Sequence, residues 1–319
     1  MNNYLLRRLL VSLPTVIGIT ILIFLVMRVL PGDPVSVVFG QESFVTMSAA
    51  DQERFRTDLG LNKPLHQQYL DWMIAIAQGD LGRSFWRNDT VADLLARRGP
   101  ITVQIGLMAI AFSWLVGIPV GIVSATKRGS WQDHGVRVFS TLFLAIPSFW
   151  LGVAVVLVGV LYFSWRPPLE IAYPWTDPIK NFQMTIGPAL ALGVGAGAYV
   201  ARITRSSLLE ILHADYVRTA RAKGAGERRV IWGHVLVNAV LPVLTLSGLI
   251  LAGLLGGSVA VETAFGVPGL GTALVRALSD RDYMVVQNLV LVYAVTFTLV
   301  NLAVDLMYGW LDPRIRYDS

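Results

Sequence analysis

Residues 101–123 read "ITVQIGLMAIAFSWLVGIPVGIV", twenty-three positions without a charged side chain. A helix of about 20 apolar residues crosses a hydrocarbon core of about 30 Å, so this stretch predicts a membrane span. Five more runs satisfy the same condition, covering Leu9–Leu30, Val136–Phe163, Met184–Ile203, Leu241–Val261 and Met284–Trp310. The rest of the composition agrees. The 319 residues are 54% hydrophobic and 15% charged, with a mean hydropathy of +0.58, whereas a soluble domain carries about 25% charged residues. The expected fold class is an all-α polytopic membrane protein with six transmembrane helices, organised as a single transmembrane domain over residues 1–319.

The start, "MNNYLLRRLL", has the charged front of a signal peptide. The apolar run behind Arg8 is too long for such a leader and no cleavage pattern follows, so it reads as a retained first helix. The chain contains no cysteine, which excludes disulfides, thiolate nucleophiles and cysteine metal sites.

Net charge is +5. In a membrane protein basic residues record orientation before they suggest nucleic acid. Alternating the loops between two sides places Arg7 and Arg8, Lys127 and Arg128, the set Arg205, Arg218, Arg221, Lys223, Arg228 and Arg229, and Arg314 and Arg316 together. That side is the cytoplasm by the positive-inside rule, with both termini on it. The opposite side receives residues 31–100, whose "MSAADQERFRTDLGLNKPLHQQYLDWMIAIAQGDLGRSFW" predicts a helix capped by Ser48 and running to about Leu59, then another over Leu65–Ala77.

The chemistry of an enzyme is missing. There is no H-E-x-x-H, no G-x-S-x-G and no G-K-[ST] for a nucleotide phosphate. His66, His134, His213 and His234 are scattered over loops and helix ends and read as surface or packing residues, so neither a catalytic residue nor a metal site is assigned. "GVGAGA" at Gly193–Ala198 lies in a membrane helix, where Gly193 and Gly197, like Gly248, Ala252 and Gly256, have the spacing that lets helix backbones approach closely. Membrane charges sit near helix ends: Arg28 and Glu262 towards the outer boundary, Arg202 and Asp305 towards the inner one. Gln104, Gln183, Asn288 and Asn301 either line a polar path or hydrogen-bond between helices; Gln104, Glu262, Asn288 and Asn301 are the candidate path or gate residues.

Residues 204–233 form the most basic loop and contain "DYVRTARAKG", Asp215–Gly224. Asp215 suits an N-cap and Gly224 a C′ position, delimiting a helix over Tyr216–Lys223 with Tyr216, Thr219, Ala220 and Lys223 on one side and Arg218, Arg221 and Ala222 opposite. Two turns are too few to stand alone. The segment is therefore either a topogenic loop or a short helix held by packing that docks on a partner.

These residues carry a resemblance. With Gly224 on the glycine of the E-A-A-x-x-x-G motif of ABC importer permeases, Ala220, Gly224 and Leu236 match the motif and the I-x-L-P element behind it. The peptide-importer branch is much more similar, through "DYVRTARAKG", "HVLVNAVLP" (His234–Pro242), "LPGDP" (Leu30–Pro34), "TRSSLLE" (Thr204–Glu210), "ETAFGVPGLG" (Glu262–Gly271) and "DPRIR" (Asp312–Arg316). "PGDP" behind the first helix resembles the B-type permease. The resemblance implies the type I ABC importer permease fold in a bacterial inner membrane. It also implies a C-type permease partner, two ATPase subunits that hold ATP and Mg, and an extracytoplasmic binding protein. Asp215, Tyr216, Arg218, Thr219, Ala220, Arg221, Ala222, Lys223 and Gly224 would form the coupling helix. No cofactor is implied on this chain and no nucleic acid; lipid surrounds it. The implied cargo is a dipeptide or oligopeptide, alternatively a nickel complex, glutathione or an oligosaccharide. The competing class is a stand-alone secondary transporter.

Overall fold

The computed structural model describes residues 2–29, 47–58, 60–87, 89–168 and 170–311. "PGDP", the first part of the outer loop, Leu59 and "DPRIR" with Arg314 and Arg316 lie outside the described residues, as do the side chains of Arg7, Arg8 and Asp305.

The helices, in order, are α1 (Asn2–Val29), α2 (Ala49–Asp58), α3 (Leu65–Ala77), α4 (Val91–Thr126), α5 (Trp131–Ala145), α6 (Ser148–Phe163), α7 (Pro178–Ile211), α8 (Asp215–Ala222), α9 (Glu227–Val230), α10 (Leu236–Phe265), α11 (Leu270–Ser279) and α12 (Tyr283–Leu311). A π-helical turn, Ile231–Val235, joins α9 to α10. Five helices are long and apolar enough to cross a membrane, and α5 with α6 make a sixth span when taken as one. That pair corrects the continuous run expected over Val136–Phe163, because the two helices meet at 95°. The cause is Pro147. It forces Ile146 into extended backbone (φ −85°, ψ 123°) and then itself caps α6.

The spans outrun the predicted apolar runs. At 1.5 Å per residue, the 36 residues of α4 reach about 54 Å and the 34 of α7 about 51 Å, well beyond the hydrocarbon core. Thr90 starts α4 by accepting the Asp93 N–H at 3.0 Å, a reciprocal cap since Thr90 Oγ1 also donates to Asp93 at 2.6 Å. The Ser48 cap is present as expected, taking the Asp51 N–H at 3.1 Å, and α3 begins and ends where the sequence places it.

The described residues sort into two compact units, whose boundaries fall inside α4, before α11 and inside α12. In the first, within Met1–Pro100 and Gly269–Thr296, Met27, Val91, Leu94, Leu270, Tyr283, Val286 and Leu289 form one core. In the second, within Ile101–Pro268 and Phe297–Ser319, Ile101, Ile105, Ala109, Met184, Leu192, Val261 and Phe265 form another.

Close approach in the second unit is made by glycine on both sides of the α4–α7 contact. A Cβ on Gly117 would stand 2.6 Å from the Gly197 carbonyl, one on Gly121 2.6 Å from Thr204 Cβ, and one on Gly193 2.9 Å from the Phe112 ring. Gly193 therefore does the packing its spacing suggests, whereas Gly197 takes part through its carbonyl and a Cβ on it would make only ordinary contact, 3.5 Å from Ser113. Gly248 does too, against Val304, but a Cβ on Gly256 would meet nothing within 4 Å. The expected repeat in α10 is used at one end.

Candidate functional site

The short helix between α7 and α9 is the most sharply built feature. α8 spans Asp215–Ala222, one residue earlier than expected, and its N-cap is Ala214, which offers no side-chain acceptor. Asp215 is thus corrected from cap to first residue. There its carboxylate faces the positive end of the helix dipole and pairs with Arg218 at 3.8 Å. The C-terminal expectation holds. Gly224 adopts φ +80°, its N–H bonds the Arg221 carbonyl at 2.9 Å, and the Ala225 N–H bonds the Ala220 carbonyl at 3.2 Å. These two bonds make a Schellman motif, which needs a left-handed residue that only glycine adopts cheaply.

What holds two turns in place is Val217, a residue the helical-face reading passed over. It is fully buried, in a cluster with Ala125 of α4, Leu208 of α7, Val230 of α9, Val235 of the π-helical turn and Ala239 of α10, with Ala220 partly buried beside it. As the one branched aliphatic residue between Asp215 and Gly224, it carried a signal that composition alone could have found. Tyr216, Arg218, Thr219, Ala222 and Lys223 remain exposed. Arg221 is exposed as well, but its Nε and Nη2 bond both oxygens of Glu227, at 2.7 and 3.3 Å. That pair holds the Glu227 carboxyl below, and the Arg221 guanidinium above, the ordinary value. Three cations are therefore outward, Arg218, Arg221 and Lys223, of which Arg221 is tied to Glu227.

Beneath this cluster, Asp133 of α5 is buried and accepts from Arg205 Nε at 2.8 Å and Nη2 at 3.0 Å, from Ser124 Oγ at 2.6 Å and from the Gly129 N–H at 3.0 Å. Four donors from α4, the α4–α5 turn and α7 converge on one carboxylate. A buried charge is stable only when paired and hydrogen-bonded in this way.

The path candidates have separate surroundings. Gln104 and Asn181 exchange amide hydrogen bonds, 2.6 Å one way and 3.1 Å the other, linking α4 to α7. Glu262 is fully buried and accepts from Thr102 at 2.7 Å, linking α10 to α4. Asn288, also buried, accepts from the Trp72 indole at 3.4 Å and donates to the Leu81 carbonyl at 2.9 Å. Asn301 keeps a buried Oδ1 that no donor reaches among the described residues. Gln183 is exposed, as are all four histidines. Among the described residues no three His, Asp or Glu side chains gather in a way that could hold a metal ion.

The chain is similar to known transport proteins along its whole length. Residues 117–317 match the family described as binding-protein-dependent transport system inner membrane component, and residues 1–106 match its N-terminal companion. A di/tripeptide transport system permease protein of Pseudomonas aeruginosa is 39% identical, with 99% of both chains covered. An oligopeptide permease of Bacillus subtilis is 39% identical over 99% of this chain and 100% of that one. A dipeptide permease of Escherichia coli is 38% identical over 99% of each. Among solved structures, an inward-facing methionine ABC transporter matches 69% of this chain and 96% of its own, with a TM-score of 0.55 at 20% identity, which speaks for the fold. With its apolar helices, its type I importer permease fold and these full-length relatives, the chain belongs to the binding-protein-dependent transport system inner membrane components, as a multi-pass permease and not a catalytic subunit.

Proposed function

We propose that the chain is the B-type permease of an ATP-driven importer of dipeptides or oligopeptides, with α8 as the helix that docks on an ATPase. The observation that carries the substrate class is near-complete coverage at 37–39% identity by permeases named for peptide transport. In this reading both termini and residues 204–233 are cytoplasmic and residues 31–100 face outward. A C-type permease completes the path, two ATPase subunits hold ATP and Mg, an external binding protein delivers the peptide, and this chain holds no cofactor of its own.

The geometry of α8 supports docking. Its ends are fixed by a dipole-facing Asp215 and the Gly224 turn, Val217 ties it to the spans, and Tyr216, Arg218, Thr219, Ala222 and Lys223 stay outside. Tyrosine and arginine are the residue types enriched at binding hot spots. Closure of the ATPase pair on ATP would then move α8 as a rigid body and shift the permeases between two arrangements. Gln104, Glu262, Asn288 and Asn301 remain the path candidates in this reading.

The test is reconstitution of the complete complex in lipid with the binding protein encoded alongside. ATP hydrolysis should rise with binding protein loaded with dipeptide or oligopeptide. Stimulation only by a nickel complex, glutathione or an oligosaccharide would replace the cargo. Ion-driven uptake by the isolated chain would replace the class with a secondary transporter.

A further inference from the structure

The first unit contains a hollow of about 200 Å³ whose wall includes Arg28 of α1, Lys63, Gln68, Asp71 and Trp72 on and before α3, and Gln287 of α12. An engineered cavity of about 150 Å³ takes up benzene. The hollow is therefore large enough for one residue-sized group.

Its polar groups are short of an anion. Arg28 donates from Nε and Nη2 to Gln68 Oε1 at 3.1 and 3.0 Å and from Nη1 to the Phe24 carbonyl at 3.1 Å. Its guanidinium lies over the Phe24 ring at 3.5 Å and within 5.5 Å of the Tyr283 ring. Every one of these partners is neutral, so no carboxylate among the described residues pairs with the half-buried cation. A guanidinium has five N–H donors, and three are used among the described residues. Gln287 supplies a second, independent sign: it is 1% exposed, and its Nε2 finds no acceptor among the described residues. The carboxylate that does line the hollow, Asp71, is taken by Lys63 at 2.7 Å on the exposed rim.

A paired acceptor with full negative charge is what such a site lacks. Two spare guanidinium hydrogens match the two oxygens of a carboxylate, and Gln287 offers one more donor. We propose that this hollow holds the C-terminal carboxylate of a peptide, with Arg28 as its counter-charge, on the face where the binding protein delivers. The inference rests on the peptide-importer reading and on its placement of residues 31–100 outside.

The experiment uses the wild-type complex in lipid nanodiscs, without binding protein, and phenylglyoxal, which modifies guanidinium groups. The adduct on Arg28 is quantified by peptide mass spectrometry, with exposed Arg128 as internal reference. L-alanyl-L-alanine should slow modification of Arg28 at least threefold, its C-terminal amide should not, and Arg128 should react equally in all samples. Equal protection by the amide, or protection by neither, overturns the site. Uptake of the same dipeptide by the complete complex in proteoliposomes is measured in parallel. Uptake without protection removes only this site, whereas absence of uptake removes the peptide reading itself.

Discussion

Val217→Ala separates a packed α8 from one that is merely tethered. Val217 is fully buried between α4, α7, α9 and α10. The substitution deletes two methyl groups, each worth about 0.8 kcal/mol of burial, so the ordered helix loses about 1.6 kcal/mol. At about 1.36 kcal/mol per decade, the equilibrium between docked and open α8 shifts by roughly 15-fold. Eight residues have no helical stability of their own with which to resist that shift. Amide hydrogen exchange followed by mass spectrometry reads it directly: peptides covering residues 215–222 should exchange roughly 15-fold faster, while those from the middle of α7 keep their rate. Transport should fall more than basal ATP hydrolysis, since a handle that opens no longer transmits its displacement. Unchanged exchange over residues 215–222 would refute the reasoning, because it would mean that Val217 carries none of the ordering.

Four further outcomes follow from the same geometry. Gly121→Ala drives a Cβ against Thr204 and the Ala201 carbonyl and should cost about 1–3 kcal/mol, whereas Gly256→Ala meets open space and should gain about 0.5–1 kcal/mol of helix propensity; thermal unfolding in detergent should move in opposite directions for the two. Gly224→Ala forces φ +80° on a residue with a Cβ, costing about 1–2 kcal/mol without a clash, so copurification with the ATPases should survive it, whereas Gly224→Trp, which adds bulk beside the docking face, should abolish copurification and leave membrane insertion intact. Asp133→Leu strands Arg205 and should destabilise by about 3 kcal/mol, and the double change with Arg205→Leu should recover most of it; additive losses would mean the pair is not coupled. Glu227 titrates below its ordinary value, so its tie to Arg221 is complete above that ordinary value and is lost as pH falls through the lowered one; wild-type coupling of ATP hydrolysis to transport should weaken on that descent, and Glu227→Gln should show the weakened level already at neutral pH.

The spans were legible because a bilayer imposes a length on apolar runs, and a 36-residue helix such as α4 still shows its 20-residue greasy middle. Caps were legible where a side chain does the capping, as at Ser48, and where a glycine must take positive φ, as at Gly224. Asp215 misled because Asp suits both the cap and the first turn, and which of the two it takes depends on the φ and ψ of Ala214. The break at Pro147 was visible in "AIPSFW" but lost inside a long apolar run. α11 escaped notice because ten residues cannot span, and its burial comes from partners distant in sequence such as Met27 and Val91. Glu262 looked like a boundary charge, and only the fold reveals it as fully buried beside Thr102. Gln287, unremarkable in sequence, depends likewise on what α12 is packed against.

The placement of α8 above the Asp133 network bears on how a push would travel. Val217 touches a cluster that contains Ala125 and Leu208, and these lie one and three residues from Ser124 and Arg205, two of the donors to Asp133. The apolar socket and the buried carboxylate therefore share the ends of the same two helices, α4 and α7. Those helices meet through glycines, where a Cβ would find a carbonyl or side chain at 2.6–2.9 Å, so neither can slide past the other without a clash. Close-packed interiors transmit strain because they have few voids to absorb it. A displacement of α8 would reach α4 and α7 through the Val217 cluster and α5 through Asp133, while a hollow of about 540 Å³ is lined by all three helices. Beyond α5 the chain parts from α6 at 95° at Pro147, so no continuous helix carries such a displacement on into α6.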